Sequence, residues 1–431
     1  KNSQSCTLVS EKKRASGFAT PRSTAPTSAA MSIPLDLSRP WEEIRSSARS
    51  RASSSPAPDS GTAAERLTDD LLVEILSLVP AKSLHRFKSV SKHWLALTND
   101  RNNLKKLPRT LTGFFYQTRN REPFQRPALP FTNLSGSHNL TFLDFLPNRR
   151  GRVVLLDCCN GLVLCRWYND PVQADEFRHV VCNPATEEWA ELPDSGHSCT
   201  MGCVRLGFDP AVSPHFHVFM LVTDQHGFYL TGVNFYSSET GRWVYKEHGW
   251  NGDIKLDCDR RSPTVYLNGH LHFIAFLYLE PTRSLVRYLA VVDTKGESWA
   301  DIVVPDGPYG GFLKQSQGHL HYAGYDRDAD GNVARLLLYV MEDYDSKVWK
   351  LSHSVETSSI LGGVHVGLCR GFYWIAIHPE CNLIFFVARD KTFMCYDMNR
   401  RQVKAICDLE DGMPPYLPFV PLYAELRSLH K

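Results

Sequence analysis

The sequence predicts an α+β multidomain protein: a short three-helix unit followed by an all-β propeller, with six blades expected and five or seven as the alternatives. Three observations carry this. Residues 66–99 place large apolar residues at helical spacing. Past Pro108 the text changes to short β-branched and aromatic runs broken by Gly, Pro, Asn and Asp. Within that region a tryptophan and a glycine recur in step through five copies.

Residues 1–64 come first. They are dominated by Ser, Ala, Thr, Pro and Arg, a composition that cannot offset the entropy of ordering, so a disordered tail is expected. The first methionine is Met31, so residues 1–30 also read as translation from upstream of a start or as a Ser/Arg-rich transit peptide. The whole chain has 431 residues, 43% hydrophobic and 22% charged, with a formal net charge of +2. Those values give no general electrostatic reason for nucleic acid or an anionic membrane as partner. No apolar run approaches the roughly 18–20 residues a spanning helix requires. The 12 cysteines are scattered, which reads as reduced thiols of an intracellular protein, cytoplasmic or nuclear.

Residues 65–108 form the second expected domain. Thr68 is a suitable N-cap, and Asp69 and Asp70 bring negative charge to the first turn. Leu67 and Leu72 have the spacing of a hydrophobic staple. Leu71, Leu72, Ile75, Leu76 and Val79 then make one apolar stripe, and Pro80 stops the helix. A second helix carries Leu84, Phe87 and Val90, a third Trp94, Leu95 and Leu97. The apolar supply exceeds what three short helices can hide in each other. The surplus either packs on the β domain or docks a partner's helices.

The run Leu67-x4-Leu72-x2-Ile75-Leu76-x3-Pro80-x-Lys82-Ser83-Leu84-x-Arg86-Phe87-x2-Val90-Ser91-Lys92-x-Trp94 resembles an F-box, particularly its plant form, LPxDLLxEILxRLPxKSLxRFKxVSKxW. Thr68 stands where proline is usual. The resemblance implies binding to a Skp1-like adaptor within a cullin-RING ubiquitin ligase. By position, Leu67, Ile75, Leu76, Pro80, Leu84, Val90 and Trp94 would make the contact.

Residues 109–431 form the third expected domain. A tryptophan follows a strand and a polar turn at Trp189, Trp243, Trp299 and Trp349, and Val403 holds the place in a fifth copy; the intervals are 54, 56, 50 and 54 residues. The glycines Gly161, Gly207, Gly269, Gly318 and Gly371 precede those positions by 28, 36, 30, 31 and 32 residues. A period near 50 with about four strands per copy is that of a propeller blade, nearest the kelch length. Blades expose two faces that only other blades can cover, so the set must close into a ring. A sixth blade is expected from Gly113–Gln117, Leu140–Leu146 and the tail strand Pro418–Leu422, which would join the two ends. The text Asp157-x-Cys159-Asn160-Gly161-Leu162, then Asn183-Pro184-Ala185-Thr186-x2-Trp189-x2-Leu192-Pro193, resembles the F-box-associated domain of plant F-box proteins.

Chemistry-bearing motifs are weak. Asp326-x-Asp328-x-Asp330-Gly331-Asn332 begins like a calcium loop, but Leu337 stands where a bidentate Glu belongs, so a polar hairpin is expected. His270-x-His272 and His319-x-His321 sit at equivalent repeat positions, so duplication explains them; His215-x-His217 is a third such pair. His197-x-Cys199-x3-Cys203 lacks a fourth ligand. No GxSxG turn and no Walker or Rossmann loop occurs, so no catalytic residue, metal or cofactor is expected. The repeat tryptophans read as blade anchors. Target recognition is expected in loops that break the repeat, Asp224–Tyr229 and Pro305–Phe312, with His226, Phe228, Tyr229, Tyr309 and Phe312 as candidates. The expected function is the substrate-recognition subunit of an SCF-type ubiquitin ligase, with an unknown protein as substrate. The alternative is a propeller that binds a small ligand or glycan, or an enzyme, with a helical docking appendage.

Overall fold

The structure is a computed structural model that describes residues 67–77, most of 91–106 and most of 110–430. The segments 1–66, 80–82, 84–90, 107–109, 119–127, 147–151, 169–175, 198–202, 257–263, 280–283, 306–308, 330–332, 362–371, 389–390 and 410–411, with a few single positions, lie outside the description. The expected tail and the helix over Leu84, Phe87 and Val90 fall in those segments.

Helix α1 (Asp69–Ser77) starts directly after Thr68, whose carbonyl accepts from the Leu72 N–H at 2.9 Å. It ends two residues before Val79, whose N–H turns back to the Leu76 carbonyl at 3.1 Å. Helix α2 (Lys92–Asn99) is capped by Ser91, whose hydroxyl accepts from the Trp94 N–H at 3.1 Å. A single turn, α3 (Arg101–Leu104), follows the Asp100 carboxylate, which accepts from the Asn102 and Asn103 N–H groups. Leu72 and Val73 of α1 pack against Leu97 of α2, with Leu67 and Trp94 at the border. The apolar stripe of α1 is therefore split. Leu72, Val73 and Leu76 face inward, while Leu71 and Ile75 stay outside.

The β region forms six antiparallel sheets, one per blade. Blade 1 begins with β1 (Gly113–Thr118), β2 (Ala128–Asn133) and β3 (His138–Phe142). Blade 2 is β4 (Arg152–Cys159), β5 (Leu162–Tyr168), β6 (Phe177–Asn183) and β7 (Glu188–Glu191). Blade 3 is β8 (Val204–Gly207), β9 (His217–Thr223), β10 (Leu230–Ser237) and β11 (Arg242–Glu247). Blade 4 has a divided first strand, β12 (Ile254–Leu256) and β13 (Thr264–Leu267), both paired to β14 (His270–Leu279), then β15 (Ser284–Asp293) and β16 (Trp299–Val303). Blade 5 is β17 (Tyr309–Ser316), β18 (His319–Arg327), β19 (Val333–Met341) and β20 (Lys350–Glu356), followed by the turn α4 (Thr357–Leu361). Blade 6 is β21 (Phe372–Ile377), β22 (Leu383–Ala388), β23 (Thr392–Asp397) and β24 (Gln402–Asp408). The last strand, β25 (Gly412–Phe419), returns to pair with β1, Gly113 opposite Phe419 and Phe115 opposite Leu417.

The chain thus closes its ring with strands from both ends. β25 adjoins β4, and the innermost strands continue from β4 to β8, β13, β17, β21 and back to β25. The six-blade expectation holds, with two corrections. The strand expected over Leu140–Leu146 is β3, which ends at Phe142, and Leu143 and Leu146 are buried in the turn beyond it. The tail strand lies earlier than Pro418–Leu422 because Gly412–Phe419 is what pairs with β1.

Each seam between neighbouring blades holds one apolar cluster, which is why the ring needs no other partner to cover its sheets. Between blades 1 and 2, Phe115, Phe131, Trp167 and Phe419 meet. Between blades 6 and 1, the Phe114 ring lies 5.1 Å from Phe385 and 5.0 Å from Phe393. The repeat tryptophans sit at the seams. Trp243 donates from Nε1 to the Pro193 carbonyl just after β7, and Trp349 to the Val303 carbonyl of β16, both at 2.8 Å. These two tryptophans hook their outer strands to the blade before them, whereas Trp299 donates to the Gly296 carbonyl of its own hairpin.

The glycine marker has a geometric cause in three copies. Asn160-Gly161, Asn268-Gly269 and Gln317-Gly318 join the first and second strands of their blades with φ of 46° and 91°, 52° and 78°, 51° and 80°. Two successive left-handed residues make a tight hairpin turn, which favours Asn-Gly. The other two copies differ: Gly207 ends β8 ahead of a longer connection, and Gly371 lies outside the described residues, ahead of β21 rather than at its first hairpin.

After β25 the chain runs across blade 2. Leu422, Leu426 and Leu429 enter the seam cluster of blades 2 and 3. Asn183 Nδ2 donates to the Leu422 carbonyl at 2.9 Å. At the outer edge, Trp189 and His430 exchange both backbone hydrogen bonds, at 2.8 and 2.7 Å.

Candidate functional site

The helical unit keeps three large apolar side chains in solvent: Leu71 at 47% exposure, Ile75 at 46% and Leu95 at 39%. Leu71 and Ile75 are one helical turn apart, so they form a single ridge on the outer side of α1. A contact of 3.0 Å between His93 Nε2 and Asp69 Oδ1 ties α2 to the start of α1. Of the seven expected contact residues, Ile75 lies on the surface, Leu67 and Trp94 are half-buried against the helix core, and Leu76 is 1% exposed. Pro80, Leu84 and Val90 lie outside the described residues. Leu71 and Leu95 are surface residues that the position-by-position reading missed. Apolar spacing placed both on the helices, and only the packing shows them to be outside.

The propeller carries a second constellation, on its innermost strands. Asp157 on β4 pairs across to Leu164, Arg205 on β8 to Phe219, Val265 on β13 to His272, Lys314 on β17 to His321, and Ala376 on β21 to Phe385. Each partner is the third residue of its blade's second strand, so these five positions occupy one level of the ring. Three are charged at a place where blades 4 and 6 carry apolar side chains. β4 and β17 are three blades apart, on opposite sides of the ring, and the charges of Asp157 and Lys314 act on one another.

Asp157 Oδ1 accepts from the Cys158 N–H at 2.8 Å, and Oδ2 from the Leu206 N–H at 2.9 Å, stitching blade 2 to blade 3. Burial raises its pKa, opposed first by the Arg205 guanidinium. Burial lowers the Lys314 pKa, and the Asp157 carboxylate is the largest influence holding it up. The neighbouring Cys158 thiol is pushed far up by burial and then by Asp157, so it stays protonated and unreactive. The signal in sequence was the charge inside apolar strand text, LLDCC, VRLG and FLKQS.

The loop candidates separate. In Asp224–Tyr229, His226 is exposed and Tyr229 is 40% exposed. The turn is held by Asp224, whose N–H donates to the Tyr229 carbonyl at 2.8 Å and whose Oδ1 accepts the Tyr229 N–H at 3.2 Å. Phe228 lies outside the described residues. The loop expected over Pro305–Phe312 needs correction. Strand β17 already begins at Tyr309, and Phe312 is 5% exposed in the seam of blades 5 and 6. Aromatic text next to Gly310-Gly311 read as a loop, but pairing with β18 makes it strand.

Residues 65–106 match the F-box domain, and residues 133–413 match the family described as F-box protein At3g26010-like, beta-propeller. The chain belongs to that family of F-box proteins. Among its relatives in Arabidopsis thaliana, F-box protein At5g07610 is 29% identical over 335 residues, covering 72% of this chain and 75% of that one. F-box protein At5g49610 is 25% identical over 360 residues, covering 76% and 87%. The structure of a Penicillium chrysogenum alpha-L-arabinanase overlaps 73% of this chain and 87% of its own at 10% identity and a TM-score of 0.34, a likeness too slight to argue from.

In this F-box protein one of the paired histidines is packed into the propeller by hydrogen bonds. His272 is fully buried, its Nδ1 lying 3.2 Å from the Val265 carbonyl oxygen and its Nε2 2.7 Å from the Tyr344 hydroxyl. Burial lowers its pKa to about 4, and does the same to His217 and His321. Among the described residues no group of three His, Cys, Asp or Glu side chains is placed to hold a metal ion. His197 stacks on Tyr245 at 5.0 Å, and Cys203 is buried. Asp326 and Arg327 end β18, which pairs with β19, and residues 330–332 of the calcium-like text lie outside the described residues.

Proposed function

We propose that this F-box protein is the substrate-recognition subunit of an SCF-type ubiquitin ligase. Its helices dock a Skp1-like adaptor, and its propeller holds a protein target. The reading rests on one observation above all. Within the F-box match, α1 keeps Leu71 and Ile75 in solvent while Leu72, Val73 and Leu76 close its own core. An exposed apolar ridge on a short helix is a surface shaped for another helix. The propeller's six seams are filled from within, so the ring has no need of those side chains.

The contribution to catalysis is proximity. Holding a target beside the ubiquitin-charged enzyme raises its effective concentration and needs no bond chemistry in this chain. The test is co-purification of the full chain with a Skp1-type adaptor, comparing wild type with Leu71→Asp and Ile75→Asp. Charge on the ridge is expected to abolish the complex while leaving the β-rich circular dichroism spectrum unchanged. Retention of the adaptor by both folded variants would end this reading.

A further inference from the structure

The centre of the propeller has a charge arrangement that adaptor docking does not use. Asp157, Arg205 and Lys314 stand at one level of the ring, and with all three ionised they carry one net positive charge. One carboxylate, Asp157, faces two cations. Both of its oxygens already accept backbone N–H groups, from Cys158 and Leu206. Lys314 Nζ makes no hydrogen bond and no ion pair within 4 Å among the described residues; the Phe312 ring lies 5.6 Å away, and the Asp157 carboxylate is the anion that acts on it most. Lys314 is half-buried and its ammonium keeps access to solvent, so an anion that reaches it gains a charge-assisted hydrogen bond. Arg205 adds its guanidinium from the next blade but one, its Nη1 donating to the Val204 carbonyl at 3.0 Å.

We propose that the propeller's central channel binds a single carboxylate group, held by the Lys314 ammonium with the Arg205 guanidinium beside it. One net positive charge suits a monoanion. A phosphate dianion would bring its second charge against the Asp157 carboxylate, so phosphate is disfavoured. The carboxylate can belong to a small organic acid or to a polypeptide, and the same ammonium serves both. The site is independent of the helical ridge, so its fate does not decide the adaptor reading.

The experiment uses the full chain at constant ionic strength. Melting temperature is followed against sodium acetate, sodium phosphate and sodium chloride, and against a blocked tripeptide carrying one aspartate, with its asparagine counterpart as control. Acetate is expected to give a saturable rise that chloride and phosphate do not. Lys314→Met is expected to weaken it by roughly tenfold or more, the loss typical of one charge-assisted hydrogen bond, and Lys314→Arg to preserve it. A tripeptide that binds more tightly than acetate assigns the carboxylate to a polypeptide, and one that binds no more tightly assigns it to small acids. Two results overturn the proposal: no saturable carboxylate effect beyond chloride in the wild type, or an undiminished effect in folded Lys314→Met.

Discussion

Leu422→Ala tests how the ring is latched. The side chain is buried in the seam cluster of blades 2 and 3, and its carbonyl holds the Asn183 side chain. Gly161 shows how close the approach is: a Cβ there would stand 2.4 Å from Leu422 Cβ and 2.6 Å from Leu422 N. Truncating a buried leucine costs about 2–5 kcal/mol from lost transfer energy and the residual cavity. With an unfolding entropy of about 2.1 cal/mol/K per residue over a ring of roughly 320 residues, that is a drop of about 3–7 °C in melting temperature. Differential scanning calorimetry measures the drop. Hydrogen exchange over residues 420–430 and at Trp189 reports whether the tail detaches first. Leu140→Ala, at an exposed position, serves as the control and should stay within about 0.5 kcal/mol of wild type. A Leu422→Ala melting point within 1 °C or so of wild type, with unchanged exchange in the tail, would refute the latch.

Acid should destabilise the propeller through its buried histidines. His272 has a folded pKa of about 4 against an unfolded value near 6.5, so the unfolded chain binds more protons and stability falls as pH drops through that window. From pH 7 to pH 5 this one group should cost about 2 kcal/mol, seen as a lower urea midpoint that His272→Gln reduces in its pH dependence. Trp349→Phe removes the Nε1–H bond to the Val303 carbonyl and should cost about 1 kcal/mol in the same measurement, with no effect on adaptor binding.

Periodicity made the architecture legible. A blade must place a turn and a seam anchor at fixed offsets, so Trp189, Trp243, Trp299 and Trp349 kept step, and the helical stretch announced itself by apolar spacing. What local text could not supply was pairing between distant strands. The exchange between β1 and β25 spans about 300 residues of chain, and no neighbour of Gly412 reveals its partner. The same limit turned Tyr309–Phe312 into a supposed loop. On α1, spacing showed an apolar stripe, but only the packing of Leu97 against Leu72 and Val73 shows which side is spent and which is free. The charged level of Asp157, Arg205 and Lys314 went unread because it needs the register of three blades at once.

The central claim is that the outer side of the helices, and not the ring, receives the adaptor. Hydrogen exchange of the full chain with and without a Skp1-type adaptor addresses it directly. Slowed exchange is expected across Asp69–Ser77 and Lys92–Asn99, around Leu71, Ile75 and Leu95, with the six blades unchanged. Protection confined to the blades, with both helices exchanging as in the free protein, would contradict it.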